Sequence, residues 1–332
     1  MKVIIDSAIP YVGTTLAPYA EVIRIAGREI TPESVRDANA LIVRTRTRVD
    51  AKLLEGSSVE FVATATIGRD HIDEEYCHSR GIEVCSAPGC NARGVLQWVA
   101  AVLRHISRVD GKRPEEYTLG VVGVGNVGAL VSHYARLWGF RVMECDPPRQ
   151  QREGGKYYTI EEIARRADIL TLHTPLDATT HHYVDAALIE AMRPEATIIN
   201  ASRGGVVDNH AVAQSSHRYI FDVWEDEPDI PIDILSGATL ATAHIAGYTT
   251  QGKANATAMS IRSLARHFGL PLTDWYPAGL SPTQPRDISW EELCATIDQY
   301  IDIETLTAYL KCHPSDFEAI RNNPTSLREE YF

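Results

Sequence analysis

The string Gly123-Val124-Gly125-Asn126-Val127-Gly128 follows an apolar run at 119–122 and opens a helical pattern. Glycines at that spacing, between a strand and a helix, suit a dinucleotide. The first permits the tight turn, the second lets a pyrophosphate approach the backbone, and the third packs helix on strand. The helix N-terminus then faces the phosphate charge. The next apolar run ends at Cys145-Asp146. An acid there accepts from ribose hydroxyls and repels a 2′-phosphate, so the expected cofactor is NAD, although Arg149 nearby offers a charge that could neutralise such a phosphate.

Three further polar groups stand just past apolar runs: Arg203 after Asn200-Ala201-Ser202, Glu227 within Asp222-Val223-Trp224-Glu225-Asp226-Glu227-Pro228, and His244 within Ala243-His244-Ile245-Ala246-Gly247. If the runs are parallel strands, all three lie at the carboxyl edge of one sheet, where open α/β folds bind ligands. Hydride transfer from a carbon bearing a hydroxyl needs a base for the departing proton, and His is suited to that near neutral pH. A carboxylate orients the imidazole and stabilises its protonated form. A guanidinium fork matches a substrate carboxylate in two parallel bonds. Any one of the three has an ordinary structural reading; their joint occurrence behind a nucleotide fingerprint favours chemistry.

A fourth signal is Val43-Arg44-Thr45-Arg46-Thr47-Arg48-Val49. Run as a strand, its period of two puts Arg44, Arg46 and Arg48 on one side. Arg44, at the end of the run 40–43, is the candidate for binding an anionic group of a substrate, with Thr45 adding a hydroxyl. Arg46 and Arg48 serve equally well as a solvated edge paired with acids such as Asp50 and Asp70.

The elements that must position these groups alternate from the first residue. Runs at 3–5, 40–43, 61–63 and 82–84 read as strands, with helical segments starting at Thr14, Pro32, Asp50 and Asp70 between them. Apolar spacing predicts a long helix over 94–108 joining two lobes. A second series of strands follows at 119–122, 140–145, 169–173, 197–200, 219–223 and 239–241, then a helix over 249–268 and short helices at 290–301 and 304–310. The fold class is therefore α/β, two doubly wound parallel sheets with a short helical appendage.

Composition agrees. The chain has 332 residues, 32 basic against 44 acidic, a net charge of −12 that disfavours nonspecific hold on nucleic acid or anionic membrane. The uncharged stretch 118–135 contains four glycines with Asn126, Ser132 and His133, so it reads as globular structure rather than a membrane span. The opening Met1-Lys2-Val3-Ile4-Ile5-Asp6 reaches an acid after three apolar residues, unlike a secretory leader, and the cytoplasm is expected. Six cysteines without CxxC read as buried thiols, and no metal is expected.

The strings GVGNVG, His173-Thr174-Pro175-Leu176, Asn200-Ala201-Ser202-Arg203-Gly204-Gly205, DVWEDEP and His244-Ile245-Ala246-Gly247, with Asp146, resemble those of the D-2-hydroxyacid dehydrogenases. The resemblance spans nearly the whole chain to about Phe268. It implies a flavodoxin-like substrate-binding domain at 1–91, a Rossmann NAD-binding domain at 92–255, and a return helix with a reduced dimerisation segment at 256–332. It also implies NAD as cofactor, a small phosphorylated 2-hydroxy acid as substrate and a homodimer. By position, Arg203, Glu227 and His244 would be catalytic. Gly123, Gly125, Asn126, Val127, Gly128, Asp146, Thr174, Ala201, Ser202, Asp222 and Gly247 would meet the cofactor. Thr45, Thr66 and Tyr248 would join Arg44 on the substrate. Ala243 stands where the family commonly has proline, and the short stretch 207–221 predicts a clipped helix near Asn209. A dinucleotide-sensing binding protein could retain the same residues; turnover distinguishes it.

Overall fold

The computed structural model describes residues 1–322 and 328–332. They form two compact units, Met1–Asn91 with Thr250–Thr283, and Ala92–Thr249 with Gln284–Phe332.

The first unit is built on β1 (Lys2–Asp6), β2 (Glu21–Ile25), β3 (Ala40–Val43), β4 (Phe61–Thr64) and β5 (Glu83–Cys85), all parallel in the order β2-β1-β3-β4-β5. Period two divides each central strand between two cores. Ile4, Leu41 and Val62 pack with Val35, Leu54 and Ile72 on one face. Val3, Ile5, Ala40, Ile42, Phe61 and Ala63 pack with Ile261 and Leu264 of the helix Thr250–Phe268 on the other. Both faces are covered, which is why these strands read as unbroken apolar runs.

Three local readings are corrected here. The segment from Thr14 is a succession of turns, not a helix: Pro18 has no N–H to donate, and the bonds close as Ala17 N to Thr14 O and Tyr19 N to Leu16 O. β2 was not expected, because Glu21 and Arg24 interrupt an edge strand that is half exposed. The arginine segment does not run extended. β3 ends at Val43, Thr47 N–H bonds Arg44 O at 3.1 Å, and the buried Thr47 hydroxyl donates to Gly27 O at 2.9 Å, pinning a turn that abolishes the period-two register.

The second unit carries β6 (Thr118–Val122), β7 (Arg141–Cys145), β8 (Ile169–Leu172), β9 (Thr197–Asn200), β10 (Arg218–Phe221) and β11 (Leu240–Ala241) in the parallel order β11-β10-β9-β8-β6-β7. The strand order reverses between β6 and β8, the crevice where such sheets take ligands. The helix Ala92–Asp110 belongs wholly to this unit; Trp98, Leu103 and Ile106 meet Tyr134 and Trp138 of the helix Asn126–Trp138 in its core. Ile288, Leu293, Ile303, Tyr331 and Phe332 complete that core. The uncharged stretch seen in the sequence is divided among β6, the glycine turn and the helix after it. Among the described residues no helix is long and apolar enough to cross a membrane. The helix Asn209–Gln214 has six residues, as its shortened stretch implied. Cys77, Cys90 and Cys145 are buried, Cys85 and Cys294 half-buried, and Cys312 exposed.

Candidate active site

In the second unit every sequence-selected group falls at the carboxyl edge of the sheet, on a loop or, for Asn126, Val127 and Gly128, in the first turn of the helix that follows. The glycine turn follows β6, Asp146 follows β7 and Thr174 follows β8. Arg203, Glu227 and His244 follow β9, β10 and β11, three neighbouring strands.

The three glycines meet three different demands. Gly123 has φ 84°, and a Cβ there would lie 2.7 Å from His173 O. A Cβ on Gly128 would lie 1.9 Å from Gly123 O. A Cβ on Gly125 would meet nothing within 4 Å, so this glycine borders open space at the start of a 13-residue helix that begins with Asn126 and Val127. A diphosphate fits that cradle. Beside it, Thr174 Oγ1 is buried with no hydrogen-bond partner, as a hydroxyl awaiting a ligand would be.

Asp146 braces the turn. Its Oδ2 accepts from Val124 N–H at 2.7 Å and its Oδ1 from Arg149 N–H at 2.9 Å, capping the helix Pro147–Glu153. The Arg149 guanidinium is tied to Val124 O at 2.6 Å and Glu153 at 2.8 Å. These groups, with Gly125, Asn126 and Arg152, line one cleft.

After β9, Asn200 Oδ1 accepts from Ser202 N–H and Oγ–H, while Asn200 Nδ2 donates to Arg203 O at 2.9 Å. The turn carries Ala201 and Ser202 and projects Arg203, whose Nη1 donates to Ser202 O at 2.8 Å. Gly204 must follow, since a Cβ would lie 2.0 Å from Trp224 backbone.

His244 Nδ1 and Glu227 Oε1 are 2.6 Å apart, both side chains roughly one-fifth exposed. Burial pushes the Glu227 carboxyl up, but the bond from His244, that residue's charge and Arg321 nearby outweigh it and hold the group below its ordinary value. With Nδ1 turned to the carboxylate, Nε2 is the nitrogen left for a proton from outside.

Buried Asp222 shapes this loop. Its Oδ1 accepts from Thr242 Oγ1 at 2.6 Å and Ile245 N–H at 2.8 Å, and its Oδ2 from Ala246 N–H at 2.9 Å. Its backbone O accepts from His244 N–H at 2.7 Å, holding the histidine at φ 55°, a left-handed conformation that costs a non-glycine residue about 1–2 kcal/mol. Gly247 and Tyr248 continue the loop, and Tyr248 Oη accepts from Arg321 Nε at 3.3 Å. Arg321 lies in no motif, and nothing in its spacing pointed to it.

In the first unit Arg44 is half-buried, with Nη1 3.4 Å from Ala8 O, and Thr45 is exposed. Thr66 Oγ1 is 2.6 Å from Thr64 Oγ1 and donates to Gly68 O at 3.2 Å. Sequence reasoning missed Lys253 in this unit, where burial, aided by the charge of Arg44, pushes the ammonium down to about 8.

Two other histidine features were also missed. Half-buried His173, with Nε2 3.0 Å from Thr171 Oγ1, is pushed down to about 3 by desolvation of its ring. His181, His182 and Glu225 bring ligand-type atoms within 4.8 Å of one another, but Glu225 is already engaged by His182 Nε2 at 2.5 Å and Asn209 N–H at 3.0 Å.

The model of the D-isomer specific 2-hydroxyacid dehydrogenase, NAD binding domain, matches residues 92–246. An erythronate-4-phosphate dehydrogenase of Bacteroides fragilis is 41% identical over 99% of this chain and 97% of its own length. One from Ectopseudomonas mendocina is 43% identical over 82% of this chain and 73% of its own. Among solved structures, the TT0316 protein of Thermus thermophilus aligns over 81% of this chain and 98% of its own at a TM-score of 0.67 and 26% identity. NAD-bound 3-phosphoglycerate dehydrogenase of Entamoeba histolytica aligns over 85% and 99% at 0.69 and 23% identity, a likeness of fold. The chain belongs to the D-isomer specific 2-hydroxyacid dehydrogenases, and it is an NAD-dependent enzyme of that family.

Proposed function

We propose that this protein oxidises 4-phospho-D-erythronate at C2 to (R)-3-hydroxy-2-oxo-4-phosphooxybutanoate, a step in making pyridoxal 5′-phosphate. The bond between His244 Nδ1 and Glu227 Oε1, on loops of neighbouring strands, is the observation that carries the chemistry. The likeness to erythronate-4-phosphate dehydrogenases along nearly the whole chain supports the substrate.

NAD would supply the hydride acceptor, and the Gly123–Gly128 turn, Asp146 and Thr174 would hold it, with Ala201, Ser202, Asp222 and Gly247 as further contacts. His244 Nε2 takes the proton of the C2 hydroxyl as the C2–H bond gives up its electron pair as hydride and the C–O bond becomes a carbonyl. Glu227 keeps the ring turned and stabilises its protonated form. Arg203 binds the substrate carboxylate as a fork and draws charge toward the reacting carbon. Residues 1–91 form the substrate-binding part, where Arg44 holds the phosphate and Thr45 and Thr66 offer hydroxyls; Lys253, on the helix Thr250–Phe268, adds a second cation, and Tyr248 is a further substrate contact. The working form is a cytoplasmic homodimer, its 256–332 segment contributing to assembly.

The test is NADH formation from a panel of phosphorylated three- and four-carbon 2-hydroxy acids, with light scattering for assembly. Preferred turnover of 4-phospho-D-erythronate is expected. A preference for 3-phosphoglycerate would overturn the substrate, and NAD binding without turnover of any member would overturn the enzyme reading.

A further inference from the structure

Among the described residues of the C-terminal segment, 317–322 and 328–332, three sets of contacts all land on residues 227–249. Arg321, on the helix Phe317–Asn322, places Nη1 3.8 Å from Glu227 Oε1 and donates from Nε to Tyr248 Oη at 3.3 Å, its side chain 18% exposed. Arg328 Nη2 donates to the carbonyls of Ile245 and Ala246 at 3.1 and 2.7 Å. Thr249 Oγ1 donates to Glu330 Oε1 at 3.0 Å, beside a parallel bridge between Thr249 and Arg328. Buried Phe317 anchors the start of this segment in one core and Phe332 its end in another. The guanidinium of Arg321 is thus delivered to the dyad by packed structure.

At 3.8 Å from a carboxylate, an exposed pair would contribute almost nothing. Here the groups are largely buried, the carboxylate is the one that orients the histidine, and the same guanidinium also holds Tyr248. We propose that Arg321 is a positioning residue for proton transfer, holding the Glu227 carboxylate ionised with Oε1 on His244 Nδ1 and fixing the Tyr248 hydroxyl beside them. The inference rests on Glu227 and His244 being the acid/base dyad. Among the described residues Arg321 acts on the Glu227 carboxylate directly, while Tyr248 and Glu318 act on Arg321 in turn. Asp222 lies under the histidine loop and feels Arg328 instead.

The sign of the effect is fixed by charge. Arg321 opposes the proton held by the dyad and Glu227 favours it, so removing each moves the dyad's titration in opposite directions. Because the cation stands 3.8 Å from the carboxylate that holds the imidazole, its removal is expected to move the dyad's titration by about one pH unit.

The experiment compares full-length wild type, Arg321→Met, Arg321→Lys and Glu227→Gln by NMR titration of the His244 ring signals, alongside kcat/KM against pH. Thermal melting checks each fold. Arg321→Met should move the titration and the acid limb of the rate profile up by about one pH unit, lowering kcat/KM roughly tenfold below the limb. Arg321→Lys should restore most of both, and Glu227→Gln should move them down. If Arg321→Met does not fold, Arg321→Gln gives the same neutral reading while keeping a donor for Tyr248. An unmoved titration, or a lysine variant as shifted as the methionine variant, overturns the proposal. The NMR arm needs no substrate, so failure to turn over 4-phospho-D-erythronate counts against the substrate reading alone.

Discussion

Gly125 and Gly128 are two letters apart in function although three residues apart in sequence, and replacing each with alanine should separate binding from folding. At Gly128 the new methyl would stand 1.9 Å from Gly123 O, backbone against backbone. Carbon–oxygen contacts below 3.0 Å are essentially never seen, so the turn or the helix must move by roughly 1 Å; such overpacking costs about 3 kcal/mol or more where neither side can rotate away. Gly123 cannot yield easily, since its N–H is bonded to Cys145 O at 2.8 Å and His173 backbone crowds its α-carbon. For a chain of this size the loss corresponds to a fall in Tm of roughly 4 °C or more. At Gly125 the methyl meets no protein atom within 4 Å, while the backbone at φ −84° and ψ −147° lies just beyond the β region that alanine prefers. Stability should fall by about 1 kcal/mol, well short of the loss at Gly128. The cradle would nevertheless be filled. Losing one or two charge-assisted bonds to the pyrophosphate, at about 1.5–3 kcal/mol each, raises the Kd for NADH by roughly two orders of magnitude. Differential scanning fluorimetry and quenching of tryptophan fluorescence by NADH measure the two effects. A Gly125→Ala variant binding NADH within twofold of wild type would refute the cradle. A Gly128→Ala variant that melts with wild type would refute the packing argument.

Four other outcomes are expected. His244→Ala should lower kcat by about 10²–10⁴-fold while leaving NADH affinity within about twofold, because the imidazole acts on the substrate proton; retention of a tenth of wild-type kcat would count against its role. Asp146→Ala should weaken NAD and relax discrimination against NADP, measured as the ratio of kcat/KM values, and a wild type that already uses both equally would show that the acid is not the selector. Asp222→Ala strips three donors of their buried acceptor, at about 1–3 kcal/mol for each left unpaired, and should lower both Tm and kcat; an unchanged melting curve would mean water replaces it. Arg44→Ala should raise KM for 4-phospho-D-erythronate by roughly one to two orders of magnitude while hardly changing the poor rate on unphosphorylated erythronate, and equal losses on both would remove Arg44 from the phosphate site.

The sequence alone carried the α/β rhythm, the glycine turn and the three polar groups beyond successive strands. Each is a local signal: apolar runs of strand length, a turn that only glycine can make, a side chain just past the end of a run. Such signals survive folding because backbone sterics and burial on both sheet faces act within a few residues. The bend at Arg44–Thr47 escaped the sequence because its cause is a hydroxyl bonded to Gly27, twenty residues upstream. Lys253 looked like an ordinary helical lysine until the fold buried it near Arg44. Arg321 and Arg328 meet Tyr248 and Ile245 more than seventy residues away in sequence. No periodicity reports contacts of that range; they exist because strand order brings β10 and β11 to one edge of the sheet and because Phe317 and Phe332 are each packed into a core of the same unit. Local chemistry thus determined which residues could act, and tertiary structure determined which charges surround them, because electrostatic neighbours are chosen by topology rather than by spacing along the chain.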